Sequence, residues 1–171
     1  MSNFMIVRGF PGSGKSTYVM REYTGLMFFE TDMFNIVNGQ YVWSVDRSRE
    51  AIRLINEFTT SIFNSPNRPD FALCGVFGTF KNIINHICNA RDHGYEIYIK
   101  TLKTQFECVH NVPKEAIQRF HKTFMEDDEI KKCLEKYGFN VHFGDMPKLN
   151  LKFDNSTKEP SNKTENYDGE N

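Results

Sequence analysis

Short, continuous apolar runs recur along this chain, and stretches of helical spacing separate them. Phe4-Met5-Ile6-Val7 is the first such run, and a run without polar alternation predicts a strand buried on both faces. A glycine-rich turn follows, and Lys15 to about Tyr23 reads as a helix. Leu26-Met27-Phe28-Phe29 predicts a second buried strand that ends in Glu30-Thr31-Asp32. The alternating aromatic stretch from Gln40 to Val45 predicts a flap or hairpin. From Arg47 to Asn64, apolar residues at 51, 52, 54, 55, 58 and 62 mark one face of a helix.

Ser65-Pro66-Asn67-Arg68-Pro69 is a loop by its chemistry. Beyond it, Phe71-Ala72-Leu73-Cys74 predicts a third strand and Phe80 to Asp92 a helix, stopped by His93-Gly94. Ile97-Tyr98-Ile99 predicts a fourth strand. Pro113 suits the opening of a helix, where its missing N–H costs nothing. Glu126 to Lys136 predicts one more helix, and Val141-His142-Phe143 a fifth strand. Strands alternating with helices imply right-handed crossovers and a mainly parallel sheet. The fold class is therefore α/β, three-layered, with about five strands and helices on both faces, in a single domain over residues 1–150.

Residues 151–171 are polar and acidic and are expected to be a disordered tail. From Asp154 onward that tail holds five acids and two lysines; it contributes −3 to a formal net charge of −1 and leaves the remainder near +2. A dedicated nucleic-acid binder is usually far more basic. Apolar residues make up 39% of the 171, enough for one sizeable core. No apolar run reaches the ~20 residues of a membrane span, and no secretory leader pattern opens the sequence. Cys74, Cys88, Cys108 and Cys133 show no metal-like pairing. Reduced thiols and a cytoplasmic location are the expectation.

One segment carries specific chemistry. Gly9-Phe10-Pro11-Gly12-Ser13-Gly14-Lys15-Ser16 fits the phosphate-loop pattern G-x-x-x-x-G-K-[ST] in full, between a predicted strand and a predicted helix. Glycines let backbone N–H groups converge on phosphate oxygens, and the helix that follows adds its positive N-terminal end. Lys15 is expected to bridge the β- and γ-phosphates of ATP, and Ser16 to place its hydroxyl on Mg²⁺. With Thr17, the segment Gly9–Thr17 is the expected nucleotide site, and the fold is of the P-loop NTPase kind.

The stretch from Arg8 to Thr17 resembles the opening of the polynucleotide-kinase-like P-loop ATPases and kinases. Further segments share the likeness: Glu30-Thr31-Asp32-Met33-Phe34, Asn38-Gly39-Gln40-Tyr41-Val42-Trp43, and Val109-His110-Asn111-Val112-Pro113 continuing to Phe120. The resemblance, which is to a group common in phages and bacteria, implies an ATP- and Mg²⁺-dependent kinase acting on a hydroxyl, foremost the 5′ end of a polynucleotide. It implies that Asp32 is the general base and Lys15 the charge stabiliser, while an N-cap or turn role, or a magnesium-oriented one, stays open for Asp32. It also extends to a phage-encoded protein working in the host cytoplasm.

The chain departs from that pattern in three places. Asn35 stands where the phage kinase has an arginine for the acceptor's phosphate. No arginine precedes Val112-Pro113 in the lid, and Cys74-Gly75-Val76 offers no acid at the end of the third strand. Substitute cations include Lys100, Lys103, Arg119 and Lys122, and also Arg47, Arg49 and Arg53. A partner subunit could equally supply an arginine. Thr79 is a candidate substrate-side hydroxyl, His110 a candidate lid hydrogen bond, and Tyr41, Trp43 and Phe77 candidate stacking platforms. Two alternatives follow: a kinase for a nucleoside, modified base or other small molecule, and an ATP-binding module with weak or no transfer that acts through a partner.

Overall fold

The computed structural model describes residues 1–42, 44–104 and 114–148, and of Tyr41 and Ala116 the backbone alone. Trp43, Cys108, His110, Pro113 and the tail 151–171 lie outside the described residues, as does the Tyr41 side chain. The elements run β1 (Asn3–Gly9), α1 (Lys15–Glu22), β2 (Met27–Glu30), a 3-10 helix (Thr31–Asn35), β3 (Ile36–Val37), β4 (Gln40–Tyr41), α2 (Val45–Phe63), β5 (Phe71–Gly75), α3 (Phe80–Asp92), β6 (Glu96–Leu102), α4 (Lys114–Thr123), α5 (Asp127–Lys136) and β7 (His142–Phe143).

Five strands form one sheet in the order β2-β5-β1-β6-β7, and every pair in it is parallel. This is a three-layer α/β fold of the P-loop NTPase kind, as the alternation of elements predicts. Chain direction explains the layering. From β1 the path first crosses to the β2 edge, then returns through β5 and onward to β6 and β7. Right-handed crossovers therefore place α1 on one face of the sheet and the later helices on the other. The two cores agree with that division. Met5, Val7, Val19, Tyr23, Leu26, Ala72, Cys74 and Met146 pack on the α1 face. On the opposite face, Ile55 and Phe63 of α2, Ile83 and Ile87 of α3, and Ile130 and Leu134 of α5 pack against Phe4, Ile6, Phe71 and Leu73.

Two local expectations shift. The predicted flap over 40–45 is a two-stranded hairpin that begins earlier, with Ile36 opposite Tyr41 and Val37 opposite Gln40. Its turn falls at Asn38-Gly39, both at positive φ, which Gly and Asn tolerate best. Val45 belongs instead to α2, because Ser44 caps that helix by accepting from the Arg47 N–H at 3.2 Å. The acid cluster after β2 is not a simple turn either: it winds into the 3-10 helix.

Candidate functional site

The phosphate loop leaves the carboxyl end of β1, the central strand, and opens α1. Its tightness follows from its glycines. A Cβ on Gly9 would lie 2.5 Å from the Leu102 carbonyl oxygen and 2.6 Å from Ser13 Oγ. Gly14, at φ 81°, is the N-cap of α1 in a left-handed conformation that a side chain would strain. The Ser13 N–H donates to the Phe10 carbonyl at 3.1 Å and closes the turn. Lys15 Nζ reaches back across it, donating to the carbonyls of Phe10 at 2.9 Å and Gly9 at 3.2 Å. The first turn of α1 holds no acidic residue to offset its positive end. Thr17 is exposed, one residue further along the helix.

A second group of side chains meets the loop from the sheet edge. Val7, Cys74 and Glu30 are in register across β1, β5 and β2. Registered residues of parallel strands present the same face, here the α1 face, and two strand spacings bridge roughly 10 Å. Glu30 thereby accepts a hydrogen bond from the Ser16 hydroxyl, although fourteen residues separate them. Asp32 sits two residues on, half-buried in the first turn of the 3-10 helix, at the same carboxyl edge of the sheet as the loop.

The end of β5 has no room for an acid. Cys74 is 1% exposed, and burial first, then the charge of Glu30, push its thiol up to about 12, so it is neutral at pH 7. A Cβ on Gly75 would lie 2.7 Å from the Phe77 ring. Phe77 therefore packs inward over Gly75 and edge-on to His86, with centroids 5.8 Å apart.

The last turn of α4 and the segment after it strap the loop from the far side, a feature that sequence reasoning missed. Phe10 stacks on His121, with centroids 4.2 Å apart, and lies 4.6 Å from Phe124. Arg8 is fully buried beneath them, its guanidinium 4.2 Å over the Phe124 ring and its Nη2 donating to the Met125 carbonyl. Its Nη1 lies 3.8 Å from Asp127, and burial outweighs that attraction and lowers its pKa. The only signal for this was a basic residue continuing an otherwise apolar strand.

Most of the candidate cations are engaged with carboxylates. Lys100 pairs with Asp145 at 2.9 Å and Lys103 with Glu126 at 2.9 Å. Arg49 lies 3.4 Å from Asp46, and Arg53 pairs with Glu50 and Glu57, all on exposed turns of α2. Thr79 is the N-cap of α3, and its hydroxyl donates to Asn82 at 2.8 Å. Asn35, where the resembling kinase carries an arginine, is 2% exposed. No group of three His, Cys, Asp or Glu side chains that could hold a metal ion occurs among the described residues. No helix among them is long and apolar enough to cross a membrane.

No family model matches the chain. An uncharacterized protein of Pasteurella multocida (strain Pm70) is 27% identical over 135 residues, covering 71% of this chain and 75% of that protein. A chain of the Pnkp1/Rnl/Hen1 complex is similar at a TM-score of 0.47 and 17% identity, covering 69% of this chain. The alignment spans 38% of that longer chain. A gluconokinase from Sinorhizobium meliloti 1021 is similar at a TM-score of 0.40 and 16% identity, covering 82% of this chain and 81% of that one.

Proposed function

We propose that this protein is an ATP-dependent phosphotransferase whose acceptor is a hydroxyl, with the 5′-hydroxyl end of a polynucleotide as the foremost candidate. One observation carries the reading: a complete phosphate loop leaves the central strand, its Ser16 bonds to Glu30 at the carboxyl end of β2, and Asp32 follows two residues on. Phosphate groups and an acceptor can thus meet over the same end of the sheet.

The loop's N–H groups and the end of α1 cradle the β- and γ-phosphates. Lys15 turns its ammonium from the loop carbonyls to the phosphate charge that grows during transfer. Asp32 orients the acceptor hydroxyl and takes its proton as the oxygen attacks the γ-phosphorus and the bond to the β–γ bridging oxygen breaks. Hard oxygen donors suit Mg²⁺, which keeps several waters and leans on substrate phosphates; a serine hydroxyl beside a carboxylate fits that demand. Ser16 would hold the ion, which when bound neutralises charge between the β- and γ-oxygens.

A smaller acceptor is the second reading, and a specific observation favours it. Two of the three arginines that follow the flap, Arg49 and Arg53, are tied to carboxylates of their own helix, and Asn35 is buried. Acceptor-phosphate binding is then weakly provided for.

The test uses γ-labelled ATP and Mg²⁺ with 5′-hydroxyl DNA, 5′-hydroxyl RNA, nucleosides and acceptor-free buffer. Label is expected on an oligonucleotide, and Asp32→Asn should lower its appearance about 10²–10⁴-fold while ATP affinity holds. Label on nucleosides alone selects the small-acceptor reading. Free phosphate as the only product, insensitive to Asp32→Asn, would sink both and leave an ATP-binding module that needs a partner.

A further inference from the structure

The end of β5 lacks the carboxylate that commonly supports magnesium in P-loop enzymes, and a buried thiol and an aromatic ring stand in its place. Cys74 is sealed in the α1-face core, and the Phe77 ring takes the place of any side chain at Gly75. The adjacent strand supplies an acid instead. Glu30 is in register with Cys74, one strand further out, and its carboxylate accepts the Ser16 hydroxyl hydrogen.

We propose that Glu30 is the positioning residue for the magnesium ligand, a duty moved from the end of β5 to the end of β2. A serine hydroxyl rotates freely unless its hydrogen is held. Once that hydrogen points at Glu30, the oxygen's lone pairs are directed away from the acid and are available to a cation over the loop. The same carboxylate offers further lone pairs to metal-bound water and brings a negative charge close to the ion. Outer partners of this kind commonly change metal affinity 10–100-fold. Glu30 and Asp32 thus divide the labour of one short segment: Glu30 serves the nucleotide's metal, and Asp32 serves the acceptor. The proposal rests on the reading of this loop as an ATP site.

The experiment measures ATP affinity by calorimetry in EDTA and in Mg²⁺ for wild type, Glu30→Gln, Ser16→Ala and the double variant. Mn²⁺ electron paramagnetic resonance in the presence of ATP serves as a direct probe of the ion, and thermal melting checks the fold of each variant. In wild type, Mg²⁺ is expected to tighten ATP binding. Glu30→Gln should cut that gain about 10-fold, leave the EDTA value unchanged, and weaken Mn²⁺ binding in parallel. Because Glu30 acts in part through Ser16, adding Glu30→Gln to Ser16→Ala should lower the Mg²⁺ gain by a smaller factor than Glu30→Gln does with Ser16 present.

An unaltered Mg²⁺ gain in Glu30→Gln overturns the proposal, with the ATP site intact. Equal losses in the Ser16 and Ser16→Ala backgrounds would overturn the positioning role. A wild-type protein that fails to bind ATP in either condition overturns the parent reading instead. Should Glu30→Gln melt early, Glu30→Asp, which keeps the charge but shortens the reach, is expected to lose the same Mg²⁺ gain. A gain preserved in Glu30→Asp would overturn the proposal.

Discussion

The face of the sheet under α2, α3 and α5 is thick, aromatic and chemically quiet, whereas the face under α1 is thin and carries Lys15, Ser16 and Glu30. Phe4, Phe63, Phe71 and Tyr95 interlock across the first face with centroids 4.9–6.0 Å apart, edge-on except for the tilted Phe4–Phe71 pair. Among the described residues, α1, the Tyr23–Leu26 turn after it and the segment around Met146 close the second. Tight glycine-bearing loops and hydrogen-bonded acids add little apolar burial, so a face given to phosphate chemistry gains less from packing. The opposite layer makes up that deficit.

Phe63→Ala should break the thick face most severely. Its ring is 1% exposed at the centre of the aromatic cluster, and its removal is expected to cost about 3–5 kcal/mol in urea unfolding. ATP affinity in the folded fraction should not move. A change in ATP affinity beyond twofold would show that the two faces are not separable.

A smaller effect sharpens the comparison through pH. Burial lowers the pKa of His86, on the thick face, from 6.5 to about 4, so it is neutral in the folded protein near neutrality. Between those values the unfolded chain binds more protons, so this contribution to stability is full above 6.5 and is lost as pH falls toward 4. At 1.36 kcal/mol per pH unit, the loss over the window is on the order of 3 kcal/mol. Urea unfolding at pH 7 and pH 4.5 should show a smaller acid loss in His86→Met than in wild type. Equal losses would assign the acid sensitivity to carboxylates alone.

The smallest expected effect lies at the start of α3. Thr79→Ala removes the N-cap of α3 and should cost about 1 kcal/mol, with transfer unaffected. A drop in transfer greater than the drop in stability would restore Thr79 as a substrate-side hydroxyl.

Legibility in the sequence followed the range of each interaction. Unbroken apolar runs and their glycine punctuation located the five sheet strands and the phosphate loop, because those signals are local. The 3-10 helix at Thr31–Asn35 was not legible, since its short polar sequence also suits a turn. The Ser16–Glu30 bond depends on parallel register between β5 and β2, and the Phe10–His121 stack joins residues over a hundred positions apart. His121 bears no spacing that marks it, and only the folded chain shows its place. Arg8 was visible as an oddity, but its burial depends on Phe124 and Met125 arriving from the far end of the domain.

That last dependence has a consequence for biosynthesis. β1 is synthesised before the other strands of its sheet, yet it pairs on one side with β5 and on the other with β6. Its arginine then waits for residues 124–127, which are synthesised roughly 10 s after it at ordinary translation rates. For that interval the nascent chain holds the apolar run Phe4–Val7 followed by a cation whose native contacts are not yet made, which disfavours premature collapse around it. The central strand therefore reaches its native surroundings only after α4 and the start of α5 have been synthesised.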